Sequence, residues 1–214
     1  MTMYNPPHFK NDDVPALHGA IRAHAFGSLV TVGADGIEVS HVPMLIDPAP
    51  APYGTLIGHL SMANGQWRSA NPDVPALAMF LGPDAYITPA WYATKQESGK
   101  VVPTWNYVAI HATGTLRFFH EPERLLDVVT RLTDTHEAGR AEPWKVADAP
   151  EDYVAGMLKG IVGFELTITK LDGKFKMSQN RPAVDRAGVV AGLSRDGGDT
   201  KAAVARLVSE SSRE

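Results

Sequence analysis

Val102-Pro103-Thr104-Trp105-Asn106-Tyr107 leads into the longest β-rich run of the chain, residues 104–119, broken in the sequence by Gly114. β-branched and aromatic residues dominate this run, as they do in strands. Upstream, residues 28–32 and 37–46 are β-rich and flank Gly33-Ala34-Asp35-Gly36, a hairpin signal. Residues 55–60, 76–81 and 85–88 read as further strands. Residues 161–171 form another, ending at Asp172-Gly173, with 174–177 continuing after the turn. Helical spacing appears at 11–25, 63–70, 121–138, 150–159 and 199–208. Of these, 63–70 stops before Asn71-Pro72, and 199–208 follows Gly197-Gly198 and reads as loosely attached. Strands joined mostly by short turns, with helices between and after them, imply a mainly β protein with peripheral helices (α+β). The architecture expected is an antiparallel barrel over 1–195 and a C-terminal helix or tail over 196–214.

The chain has 214 residues, 44% of them hydrophobic and 21% charged, enough for one domain with a sizeable core. A net charge of −4 argues against a general nucleic-acid binder. With no cysteine, disulfides, thiolate catalysis and cysteine-ligated metals are excluded. The first residues lack a secretion-signal pattern, and no apolar run is long enough to span a bilayer, so a cytoplasmic protein without a membrane partner is the expectation.

Three clusters are rich in aromatic rings and neutral polar groups: 82–92, 102–107 and Met177-Ser178-Gln179-Asn180-Arg181. Such residues suit a pocket for a planar heteroaromatic ligand, although core or dimer packing uses the same types. Asn106 alternates to the opposite strand face from Trp105 and Tyr107, where it either fixes backbone or faces a polar cavity. Gln179, Asn180 and Arg181 fit either a capped turn before Pro182 or recognition of a ring edge or phosphate. The segment 55–65 should turn from strand to helix at Ser61-Met62-Ala63-Asn64-Gly65. Small residues there would let backbone N–H groups approach an anion, with Arg68 nearby, and a plain strand-to-helix connection fits the same residues. His41, His59 and His111 lie on strands but show no metal-ligand spacing, so no metal is expected. His136 near a helix end suits the helix dipole. No nucleophile elbow surrounds Thr104 or Ser178.

Six motifs occur in order from Met3 to Leu193: Met3-Tyr4-x-Pro6-x-x-Phe9, Ser40-His41-Val42-Pro43, Gly58-His59-Leu60, Gly82-Pro83-x-Ala85-Tyr86-Ile87-x-Pro89-x-Trp91-Tyr92, Val102-Pro103-Thr104-Trp105-Asn106-Tyr107 and Ser178-Gln179-Asn180-Arg181. Together they resemble the PaiB-type family, described as FMN-binding negative transcriptional regulators. The resemblance implies the FMN-binding split barrel and a homodimer with two flavin sites at the subunit interface. It places the FMN phosphate near His59, Leu60, Ser61, Met62, Ala63 and Asn64, ahead of Asn71-Pro72. The ring would lie against the strand carrying Ser40, His41 and Pro43. Gly58, Lys95, Thr104, Trp105, Gln179, Asn180 and Arg181 complete the cofactor-binding set. Oxidase-type relatives carry Ser-Arg-Lys near Met62-Ala63-Asn64, and PaiB-type chains often carry Arg and Pro where this chain has Met62 and Gly65. The phosphate is therefore expected to rely on backbone N–H groups, His59, and Arg68 or Lys95. With no helix-turn-helix, regulation of transcription would be indirect. The alternatives are a flavin-dependent oxidoreductase of a small molecule, and a haem-binding or haem-degrading split-barrel protein with His41, His59 or His111 as ligands.

Overall fold

The strands are β1 (Lys10–Asn11), β2 (Phe26–Gly33), β3 (Gly36–Pro43), β4 (Leu45–Asp47), β5 (Thr55–Ser61), β6 (Ala76–Ile87), β7 (Thr104–Phe119) and β8 (Ile161–Lys176) in a computed structural model that describes residues 3–211. The helices are α1 (Val14–Ala23), α2 (Gln66–Ser69), α3 (Lys95–Ser98), α4 (Pro122–Glu137), α5 (Glu151–Leu158), α6 (Ala183–Asp196) and α7 (Asp199–Glu210). The strands form one eight-stranded sheet in the order β3-β2-β6-β7-β8-β5-β4, with β1 added against β8. β2 pairs antiparallel with β3 and β6, and β5 with β4 and β8. This is the mainly β, antiparallel split barrel with peripheral helices that the sequence implies. The chain divides into a first unit, 14–80 with 111–171, and a second unit, 3–13 with 81–110 and 172–211.

In the first unit the hairpin forms as expected. Gly33 pairs with Gly36 across a two-residue turn, where Gly36 takes φ +119°, open to glycine. The strand expected over 37–46 is two strands. Met44 is buried and its N–H bonds Ala25 O at 2.9 Å, which takes it out of the ladder. Gly114 does not break β7. A Cβ there would stand 2.1 Å from Thr167 O, so glycine is the residue that lets the backbone pass. α4 begins with a proline in its first turn and buries Leu125, Val128 and Leu132 with Phe119. Leu45, Ile57, Leu158 and Ile161 pack against this cluster.

In the second unit, Asp172-Gly173 is not a turn. β8 runs straight through it, because Gly173 and Lys174 pair with Asn11 and Lys10 of β1. Likewise the two strands expected over 76–81 and 85–88 are one strand, β6, which ends at Ile87. Helix α6 had no counterpart in the sequence reading. Gly188 and Gly192 weaken its helical pattern, yet Cβ atoms there would stand 2.0 Å from Trp91 O and 2.3 Å from its ring. The glycines make the groove that receives Trp91. α7 packs on α6 and buries Val204, Ala205 and Val208, so it is not loosely attached.

Candidate functional site

The residues singled out in the sequence fall into two groups, one in each unit. In the first unit, β5 carries Gly58, His59 and Leu60 into the turn 61–65. Gly58 serves packing, since a Cβ there would lie 2.7 Å from the Phe164 ring, and Leu60 is buried. Asn64 closes the turn onto β3: its Nδ2 donates to Ser40 Oγ at 2.8 Å, and its Oδ1 accepts from Gln66 N at 2.9 Å. His41 is exposed and its Nδ1 lies 2.9 Å from Ser28 Oγ. Pro43 ends β3.

The expected row of free N–H groups is not present in this turn. Met62 N donates to Gly160 O at 2.8 Å, Ala63 N to Ser61 Oγ at 3.2 Å, and Asn64 N to Ser61 O at 2.9 Å. The short residues let the turn close on itself rather than leave its donors outward. With these N–H groups taken, more of the contact with an anion here falls to side chains. His59 Nδ1 is buried without a hydrogen-bond partner among the described residues, and burial holds the imidazole below its ordinary pKa. Arg68 is exposed, with its guanidinium 4.7 Å from the Trp67 ring centre. Trp67 in turn donates Nε1–H to Met62 O at 3.1 Å.

Two features of this unit were missed in the sequence. Gln66 is buried and donates to Leu29 O and Thr31 Oγ1 at 3.1 and 3.0 Å, tying the turn to β2, while its Oε1 is unpartnered. A cavity of about 510 Å³ is walled by Trp67, Pro72, Val74 and Phe118, with Asn71 and Arg117 at its polar side. The pair Trp67 and Asn71-Pro72, following the turn, was the available signal. His41, His59 and His111 form no cluster of metal-binding side chains among the described residues. His136 sits exposed in the last turn of α4.

In the second unit, Thr104, Asn180 and Arg181 line a smaller cavity of about 220 Å³ with Tyr92, Asn106 and Lys176. Asn106 is fully buried, as the alternation along β7 requires, and exchanges hydrogen bonds with Ser178 (3.0 and 3.2 Å). This pair fixes Ser178 at φ +61°, an uncommon conformation for a residue with a Cβ. Gln179 folds back onto its own backbone, to Phe175 O and Met177 N at 2.6 and 2.7 Å, so it caps the turn. Trp105 is 53% exposed and meets Tyr86 edge-on at 6.0 Å. Lys95 is exposed on α3 and does not line the cavity.

The model of a family described as "Putative FMN-binding domain" matches residues 3–170. The chain belongs to this FMN-binding-domain family. Among its relatives, "Protease synthase and sporulation protein PAI 2" of Bacillus subtilis is 29% identical over 97% of both chains. The "Uncharacterized protein AN0679" of Emericella nidulans is 33% identical over 81% of this chain and 82% of its own. The solved structure of "conserved hypothetical protein Rv2991" of Mycobacterium tuberculosis superimposes with a TM-score of 0.59 at 12% identity, covering 84% and 94% of the two chains, which shows the shared fold. The PaiB-type resemblance read from the motifs is borne out. The family's match covers the whole first-unit group, Ser40 to Asn64, whereas Gln179, Asn180 and Arg181 lie beyond it.

The first-unit residues fit the family's cofactor through side chains. His59 offers a buried ring nitrogen without a partner among the described residues, and Arg68 supplies a cation on the short helix that follows the turn, whereas the Ser61 hydroxyl and the Asn64 amide are already engaged in holding the turn.

Proposed function

We propose that this chain is a PaiB-type split-barrel protein that binds FMN, with the phosphate at the 59–64 turn and the strand carrying Ser40 to Pro43 beside it. The observation that carries the reading is the buried, unpartnered Nδ1 of His59, next to a turn that the family's match includes. Buried polar groups are rarely left without partners, and a phosphate oxygen answers this one. His59 and Arg68 hold the anion, and Asn64 sets the turn against Ser40. When bound, the flavin supplies redox capacity that the side chains lack.

The protein acts as a homodimer in this reading. Of the aromatic residues expected at an interface, Tyr92 is buried, Trp91 is taken up by α6 and Tyr107 is half-buried, while Trp105 remains exposed beside Tyr86. Any effect on transcription is indirect, consistent with the net charge of −4.

Quenching of FMN fluorescence on titration with purified protein tests the placement. His59→Ala should weaken FMN binding about tenfold, the loss of one charge-assisted contact. Arg117→Ala, at the 510 Å³ cavity, should leave it unchanged. The reverse pattern would place the flavin in that cavity. A purified protein showing a Soret band instead of flavin bands would favour haem and overturn the reading.

A further inference from the structure

The 220 Å³ cavity of the second unit is smaller than cavities that enclose a flavin-sized ligand, about 300–1,000 Å³. Its charge is one-sided. Lys176 and Arg181 both line it, no carboxylate does, and neither cation forms an ion pair with Asp or Glu among the described residues. Lys176 Nζ donates to Thr104 Oγ1 and lies 5.9 Å from the Phe9 and Tyr107 ring centres, and the Arg181 guanidinium lies over the Tyr92 ring at 4.6 Å. The buried carboxylate of Asp185 is already used, accepting from Thr94 N and Oγ1 at 3.0 and 2.8 Å. Lys174, two residues before Lys176 on β8, is directed elsewhere, to Tyr4 O at 2.9 Å.

A second observation concerns the neighbour of Arg181. Tyr92 is 2% exposed and its hydroxyl lies beside the Arg181 guanidinium, which can only donate, so the phenol O–H has no acceptor among the described residues. A buried phenol O–H without an acceptor is costly, and it stands in the wall of a cationic cavity. The conformation of Ser178, held by Asn106, belongs to the same wall.

We infer that this cavity is a binding site for the oxyanion of a small molecule, a phosphate or a carboxylate, held by Lys176, Arg181 and the Tyr92 hydroxyl. The site is built from residues other than those of the flavin turn and does not depend on FMN being bound there. Phe9, Val102 and Pro103 give it an apolar side, so a small organic acid or phosphate ester fits better than a bare ion. Burial first, then the charges of Lys174 and Arg181, hold Lys176 below the usual lysine range, and a bound anion would relieve that repulsion.

Calorimetric titration of the full chain with inorganic phosphate, and separately with acetate, tests the inference. Saturable binding of either probe at one site per chain is expected, and the tighter probe identifies the ligand class. Lys176→Met and Arg181→Gln should each weaken the tighter probe at least about tenfold. Lys100→Gln, an exposed lysine outside the cavity, should not. Tyr92→Phe separates a ligand-binding hydroxyl from an idle one: weakened probe binding without loss of thermal stability supports the site, and unchanged binding contradicts it. Circular dichroism checks that each variant is folded. No saturable binding of either probe at up to about 10 mM, where binding free energy would be only a few kcal/mol, overturns the proposal. So does an equal loss of FMN affinity in Lys176→Met and Arg181→Gln, which would make the cavity part of the flavin site.

Discussion

At the scale of single residues, hydrogen-bond inventory separates the candidates. Gln179 looked like a recognition residue, but both ends of its amide are spent on its own turn. Asn106 was legible as an inward residue because strand periodicity is strict, although its partner, Ser178, is 72 residues away and no local pattern reveals it. His59 is the reverse case: its type and place on β5 were readable, its missing partner was not. Burial lowers its pKa, so the free folded protein holds it neutral near pH 7 while the unfolded chain protonates near pH 6.5. The unfolded state thus binds more protons in acid, and stability should fall as pH drops below about 6.5, less so in His59→Ala. A phosphate dianion would favour the imidazolium. FMN affinity should therefore rise as pH is lowered from about 8 to 6.5, and His59→Ala should flatten that slope. A fluorescence titration across this range reads both, and identical slopes would remove His59 from the site.

At the scale of elements, the sequence predicts where strands and helices lie better than where they stop. Glycine is the reason. Gly114 looked like an interruption of β7 and is instead the point where its backbone comes within reach of Thr167 O. Gly188 and Gly192 hid α6 and are the groove for Trp91. In each case the residue is explained by a neighbour distant in sequence. Gly114→Ala would place a methyl 2.1 Å from a backbone oxygen, which cannot swing away as a side chain can. Its cost should reach or exceed the roughly 1–3 kcal/mol typical of overpacking. Gly139→Ala, with nothing within 4 Å, should be close to neutral. Denaturant melts of the two variants compare them directly, and similar midpoints would argue against this close approach of β7 and β8.

At the scale of the whole molecule, the family and fold were legible because six motifs keep their order along the chain, and the family's match over residues 3–170 agrees. The anion chemistry of the turn was less so. Its small residues suggested open N–H groups, but those of Ala63 and Asn64 are taken by Ser61 and that of Met62 by Gly160 O. The proposed dimer rests on exposed rather than total aromatic surface. Trp105→Glu, at a 53% exposed position beside Tyr86, should convert a dimer to a monomer in sedimentation velocity without unfolding the chain. A wild-type monomer at micromolar concentration would remove the dimer from the account.

If the turn at 59–64 holds the phosphate of FMN, riboflavin must lose that contact. The two share the ring and differ in the phosphate. Parallel fluorescence titrations of the wild-type protein should show riboflavin binding at least about tenfold more weakly, the value of one charge-assisted contact. That gap should narrow in His59→Ala. Equal affinities for the two flavins in the wild-type protein would contradict the account.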